Sequence, residues 1–252
     1  MAAFVDRVTR RFRISSTERC FLEELQSHPA RVSRGEHIAH AGDPTDRAFV
    51  LMTGWVMSSS GFPDGPHQGR RLHFPGDLLA MPSVPMRRHA EDILAISNAV
   101  ISPFPKQKLA RLFEMPRLAA IMYMFAQAER ITAGDRLANL GQNSSKARVA
   151  FLLMDILHRL RSADASIQDT FYMQLTREQV AQFAGMTPVH ASRMWSALIK
   201  DGLIACSGRV VTIRDESRLA KLSHYRDRGD FDHEWLKLAD ARARATVEEC
   251  SP

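Results

Sequence analysis

The chain has 252 residues, enough for two ordinary domains, and its 45% hydrophobic content with no low-complexity texture implies packed cores rather than disorder. A formal charge of +6 and a pI near 9.6 suit a polyanionic partner. Three scattered cysteines, Cys20, Cys206 and Cys250, give no disulfide framework or paired metal site, and no apolar run reaches the roughly 18 residues of a membrane span, so a reduced, cytoplasmic chain with no membrane partner is expected.

In chain order, Arg7, Arg10, Arg11 and Arg13 read as a solvated basic lead-in. Ser15-Ser16-Thr17-Glu18 has capping-box form, which predicts a helix to about Ser27 with Phe21, Leu22 and Leu25 inward. From Pro29 to Pro105, Gly and Pro punctuate short apolar runs such as 48–52 and 93–96, the pattern of an antiparallel barrel or sandwich, with 61–69 as a turn-rich hairpin loop. Lys106–Met115 reads as a short helix, and Pro116 suits the first position of a long one reaching about Leu140.

Along that long helix Leu118, Ile121, Phe125, Ala128 and Thr132 form a heptad-like seam that fits a symmetry mate or the chain's own domain. Gly134 weakens the helix by about 1 kcal/mol relative to Ala and admits a bend. Residues 141–145 read as a hinge, and Ser144 or Ser145 caps a helix from Lys146 to about Arg161. Its apolar face is Val149, Leu152, Leu153, Ile156, Leu157 and Leu160. Residues 162–169 are polar loop, and beyond Leu222 one more helix is expected from Asp232 to Glu248.

The most informative stretch is Thr176 to Gly202. Thr176 and Gln179 form a second capping box before a helix of about two turns. Gly185 stands where the chain must turn sharply, Thr187 caps the next helix, Pro188 fills its first position and Gly202 ends it. Val180, Ala181 and Ala184 face inward on the first helix, and Ala191, Met194 and Leu198 on the second. Val189, His190, Ser192 and Arg193 are then free to face out as base readers: Arg193 toward guanine O6 and N7, Val189 toward a thymine methyl. Leu203–Cys206, a Ser207-Gly208 turn and Arg209–Ile213 form a hairpin, the wing of a winged helix, with Arg209 at its tip directed to phosphate.

These motifs resemble the cyclic-AMP receptor protein/FNR (Crp/Fnr) superfamily over roughly residues 15–222. Gly35-Glu36-His37-Ile38, Gly54-Trp55-Val56 and Phe74-Pro75-Gly76-Asp77-Leu78 are similar to its sensor barrel, and Leu175–Gln179, Thr187–His190 and Arg193 to its reading head. The resemblance implies an α+β fold: an N-terminal antiparallel β-roll (1–115), a dimerisation helix and hinge (116–143), a winged helix-turn-helix (144–222) and a tail (223–252). It implies a homodimer on near-palindromic double-stranded DNA, acting with RNA polymerase. Base contacts fall on Val189, Ser192 and Arg193, and backbone contacts on Thr176, Arg177, Thr187, Ser207 and Arg209. Many members carry Glu where Val189 stands, so a different half-site is expected.

The effector cassette departs from the family. Ala80-Met81 replace the ribose-binding Gly-Glu pair, His89-Ala90 the phosphate-binding Arg and small residue, and Ala133-Gly134 the hydroxyls that meet adenine, which speaks against cyclic AMP. Ala80, Met81, Arg87, Arg88 and His89 are the candidate pocket residues, with Arg87 and Arg88 leaving another small anion open. One cysteine in the sensor half excludes a four-thiolate iron–sulfur cluster. His37, His40, His67, His73 and His89 read as ordinary strand histidines, against haem. Two rivals remain: a constitutive regulator whose roll binds nothing, and a cupin-like metal enzyme. Against the enzyme, His37-x-x-His40 is the one close histidine pair of the barrel and no supporting carboxylate pattern is evident. No catalytic or metal-ligating residues are assigned.

Overall fold

The structure, a computed structural model, describes residues 3–61, 68–232 and 234–236. It opens on a helix where a solvated lead-in was expected. In α1 (Ala3–Thr9), Phe4, Val5 and Val8 are buried, as is Phe12 beyond it. The spacing 4, 8, 12 puts one residue per turn on a single face, a signal present in the sequence. Its arginines are tied down: Arg7 pairs with Asp77, Arg10 donates to the Ala163 carbonyl and Arg11 to Ser162 Oγ. In α2 (Ser16–Leu25) both bonds of the Ser15–Glu18 capping box form, and Phe21, Leu22 and Leu25 are buried as expected.

Eight short strands follow: β1 (Ala30–Val32), β2 (His37–Ala39), β3 (Arg47–Thr53), β4 (Val56–Ser60), β5 (Gln68–His73), β6 (Leu78–Leu79), β7 (Asp92–Ala95) and β8 (Ala99–Pro105). They make two four-stranded antiparallel sheets, ordered β1-β8-β3-β6 and β2-β7-β4-β5. Leu51, Val56, Leu79, Ile93 and Ile101 fill the space between them. Gly54 makes the β3–β4 turn at φ +86°, where a Cβ would lie 2.4 Å from the Asn98 carbonyl oxygen; no other residue fits. Most of the expected 61–69 loop, residues 62–67, lies outside the described residues, but Ser60 pairs with Gln68 across it.

Lys106–Glu114 is a 3-10 helix leading into α3 (Pro116–Gln142), which runs on through Gly134 and Gly141. The expected five-residue hinge shrinks to Asn143 and Ser144 before α4 (Ser145–Ala163). Ser144 caps α4, and Asn143 Nδ2 donates to Asn139 Oδ1 and the Ser223 carbonyl, pinning the joint.

The seam on α3 needs correction as a dimer face. Leu118 and Ile121 are fully buried in the chain's own core beside Phe4, Val8 and Phe21. Phe125 meets Phe12 and Phe231 edge-on, with centroids 5.8 and 5.6 Å away, while the Thr132 hydroxyl bonds back to Ala128 O. The apolar period serves intramolecular packing. Among the described residues, Ala126, Arg130, Ala133, Leu137 and Gly141 form an exposed stripe along α3.

The C-terminal unit comprises α4, β9 (Thr170–Tyr172), α5 (Arg177–Ala184), α6 (Pro188–Lys200), β10 (Ile204–Ser207), β11 (Val210–Ile213) and α7 (Glu216–Ser223), with a three-stranded sheet ordered β10-β11-β9. The sequence reading missed β9 and α7, although Phe171, Met173 and Leu175 alternate inward around β9. This unit packs on the roll: Trp55, Met57, Leu72 and Phe74 join one apolar cluster with Val149, Leu153 and Trp195. A Cβ on Gly69 would sit 2.9 Å from the Phe183 ring, so α5 rests directly on β5. The tail returns along α3: Arg228 pairs with both carboxylate oxygens of Asp135, and Trp235 lies against Tyr123. The expected 232–248 helix falls mostly outside the described residues; within them Glu234, Trp235 and Leu236 are helical.

Candidate nucleic-acid interface

The head is assembled from local signals in the order the sequence presents them. Thr176 Oγ1 accepts from the Gln179 N–H and Gln179 Oε1 from the Thr176 N–H, satisfying two donors at the start of α5. Gly185 ends α5 in the left-handed region, φ 60° and ψ 50°. A Cβ there would be both strained and 3.1 Å from Leu140. Two residues later Thr187 Oγ1 accepts from the His190 N–H, and Pro188 opens α6. One clamp comes from outside the motif: Arg148 Nη1, on α4, donates to the carbonyls of Ala184 and Gly185, both at 3.1 Å. These are orphan acceptors at the end of α5, and nothing local in the sequence pairs them with Arg148.

The front of α6 faces solvent. Val189 is 66% exposed, Arg193 is exposed, and Ser192 and His190 are half-buried. Arg193 lies one turn after Val189, and the exposed stripe continues through Ser196 and Lys200, which the sequence reading did not single out. On the inner side Ala191, Trp195 and Leu198 are buried. Met194, expected inward, is half-buried; Trp195 takes the larger share. Its indole N–H points to Cys206 Sγ, and the Arg177 guanidinium carbon lies 3.8 Å from its ring centre. Burial lowers the Arg177 pKa, against the partial opposition of Cys206.

Thr187 and Ser207 are exposed beside this surface and Thr176 is half-buried at its edge. Arg209 is a correction. The hairpin pairs Ser207 with Val210, so the turn is Gly208-Arg209 rather than Ser207-Gly208. Arg209 folds back: Nε donates to Met173 O at 2.9 Å and Nη2 to Gln174 O at 2.6 Å. The guanidinium is held by charge-assisted bonds to the segment before α5; it braces the wing and is not presented to a phosphate.

The cassette also differs from expectation. Ala80 is buried in a left-handed conformation, φ 64°, the geometry that favours the glycine it replaces. Arg88 donates to the Gly42 carbonyl at 2.7 Å, and His89 is buried, its backbone N–H bound to Asp43 O. Burial lowers the His89 pKa, against the neighbouring carboxylates of Asp43 and Asp46. Of the five expected pocket residues, Met81 alone lines a cavity of about 430 Å³ between the roll, α1 and α3.

Phe4, Leu78, Met122 and Phe125 make the apolar wall of that cavity, and Arg7, Arg71, Asp77 and Glu129 part of its polar wall. Asp77, 1% exposed, takes Arg7, Arg71 at 3.4 Å and Arg159 at 3.0 Å, and Arg71 reaches Glu129 at 2.7 Å. Burial brings Arg7 down to about 9 and Arg71 to about 10. Burial pushes Glu129 up, but Arg71, Arg159, Arg136 and Arg7 outweigh it and hold the carboxyl at about 2. Among the described residues, no hydrogen-bond acceptor meets the buried Arg71 Nε or Arg159 Nη1.

Fold and site together define a class: a DNA-binding regulator, in which a sensor-type roll is joined by a long helix to a winged helix that shows its reading end to solvent. A Crp-like helix-turn-helix domain matches residues 147–222, and a cyclic nucleotide-binding domain matches residues 29–115. Electron transport regulator A of Shewanella oneidensis is 22% identical over 213 residues, covering 84% of this chain and 85% of that protein. The fumarate and nitrate reduction regulatory protein of Escherichia coli K12 matches at the same identity and coverage. The structure of FixK2 from Bradyrhizobium japonicum has the same fold, with a TM-score of 0.70 at 23% identity over 79% of this chain and 98% of that one. The chain belongs to the Crp/Fnr superfamily and is a transcription regulator of that type. Among the described residues no helix is long and apolar enough to cross a membrane.

Proposed function

We propose that two copies pair along the open face of α3 and place their α6 helices in successive major grooves of a near-palindromic promoter site, in the cytoplasm and beside RNA polymerase. The observation that carries this reading is the exposure of Val189 and Arg193 on the first turns of a helix whose N-terminus is capped and braced. A helix entering a groove by its N-terminal end reads bases with these positions. Arg193 pairs with guanine, Val189 packs on a thymine methyl, and the Thr187 hydroxyl with the Val189 N–H binds a phosphate. The pairing face is Ala126, Ala133 and Leu137, the last 73% exposed, rather than the seam buried against the roll. Small residues there let two helices approach closely, and Leu137 supplies the apolar contact.

Selection of bound sequences from a random DNA library tests the reading. Two inverted half-sites about one helical turn apart are the expected outcome; a single unrepeated site would overturn the symmetric dimer. Leu137→Arg is expected to yield monomers in sedimentation and to weaken binding to the full site far more than to a half-site.

Signals enter through the cavity between roll and α3. Its wall is apolar with arginines around it, which suits a small anion with an apolar body, and cyclic AMP lacks its usual partners at Ala80, Met81 and His89. Titrating candidate ligands while following DNA affinity separates this from a constitutive regulator, whose affinity no ligand shifts.

A further inference from the structure

We propose that the roll carries a site for one divalent transition-metal ion, ligated by His37, His40 and Asp92 and separate from the cavity beside α3. In a regular strand His37 and His40 point to opposite faces, because side chains alternate with period two. The β2–β7 pairing shifts register between His37, opposite Leu94, and Ala39, opposite Ile93. Such an irregularity re-aims side chains. The two imidazoles consequently stack on one side, 4.2 Å between centroids and 19° between planes.

The carboxylate that the sequence pattern lacked comes from the neighbouring strand. Asp92 opens β7, and its Oδ1 lies 3.7 Å from His40 Nδ1. One ligand atom from each of the three residues lies within 4.8 Å of the others. The same Asp92 oxygen accepts the Ala41 N–H at 3.0 Å, which holds the carboxylate toward the pair. Both histidines are exposed and Asp92 half-buried, so an ion enters without unfolding.

Two imidazole nitrogens and one carboxylate oxygen match the borderline ions Zn²⁺, Ni²⁺ and Co²⁺, with water in the remaining positions. Ca²⁺ and Mg²⁺ require sets of oxygens that this cluster does not offer.

The position gives the ion something to act on. The loop after His40 grips the degenerate cassette: the Gly42 N–H donates to His89 O, the His89 N–H to Asp43 O, and Arg88 to Gly42 O. An ion bridging His40 to Asp92 therefore clamps both ends of this contact, stiffening the loop that holds Arg88 and His89. The metal site stands on its own geometry, and its failure would leave the DNA-reading conclusion untouched.

Full-length protein, stripped with chelator and dialysed against Zn²⁺, is the test. Wild type is expected to retain one zinc per chain, and His40→Ala and Asp92→Asn to weaken its affinity at least about tenfold. Cys20→Ser, which removes an exposed thiol elsewhere, should leave it unchanged. Co²⁺ loading should give visible ligand-field bands in wild type that the His37→Ala/His40→Ala variant lacks. Retained DNA binding by the variants shows that they fold. Equal zinc content and affinity in wild type and the double variant, or no zinc held by wild type at micromolar concentration, would overturn the proposal.

Discussion

The reading head and the junction between roll and α3 are built from opposite kinds of interaction. In the head, each turn is set by near neighbours: Thr176 with Gln179, Thr187 with His190, and Gly185 at its own positive φ. At the junction, Asp77 draws arginines from α1, β5 and α4, and Glu129 joins from α3. Loss of a local cap leaves one backbone group to water, whereas loss of a shared buried carboxylate strands several charges at once. Substitutions at the junction should therefore act on the whole fold, and those in the head on helix ends or on DNA alone.

The largest effect is expected at Asp77. Asp77→Ala leaves Arg7, Arg71 and Arg159 facing one another, a loss of about 3 kcal/mol, the low end for a broken buried pair because the arginines keep some solvent. Urea unfolding at pH 7 measures it, and a cost below that of a helix cap would break the comparison. Next comes Arg193→Ala, with stability unchanged and discrimination at one base reduced by about 1–3 kcal/mol. Competition binding against sites varied at that position reads it; unchanged preference with binding intact removes Arg193 from the base-reading set.

Thr187→Ala is expected to cost about 1 kcal/mol, because one N–H at the start of α6 loses its acceptor; the same unfolding assay checks it. The most selective effect is with pH. The folded Glu129 carboxyl sits at about 2 against an ordinary 4.5, so its stabilisation is complete above about pH 4.5 and is lost as pH falls toward 2. The stability gap between wild type and Glu129→Gln should narrow over that window. A gap that stays constant would show that the arginines do not hold this carboxylate.

Much of the head was legible because its signals are short-range. Two capping boxes, a turn glycine and a proline at a helix start each depend on groups within a few residues, and each is present in the structure. The two-sheet roll was legible from its punctuation. Three readings are wrong or left open for a common reason. Sequence alone makes the arginine-rich start solvated, leaves the α3 seam open between a partner and the chain's own domain, and aims Arg209 at phosphate. In each, the residue type was read without knowing what would lie opposite: Asp77 and Ser162 for α1, Phe12 and Phe231 for α3, and the carbonyls of Met173 and Gln174 for Arg209.

What the amino-acid order determined alone is where helices begin and end, where the chain reverses and which side chains alternate, because hydrogen bonds and backbone sterics act within a turn. Tertiary structure decided which amphipathic face is covered, which charges share a burial site, and that Asp92 meets His37 and His40. Those outcomes depend on strand register and helix docking, which bring together residues that no local spacing relates.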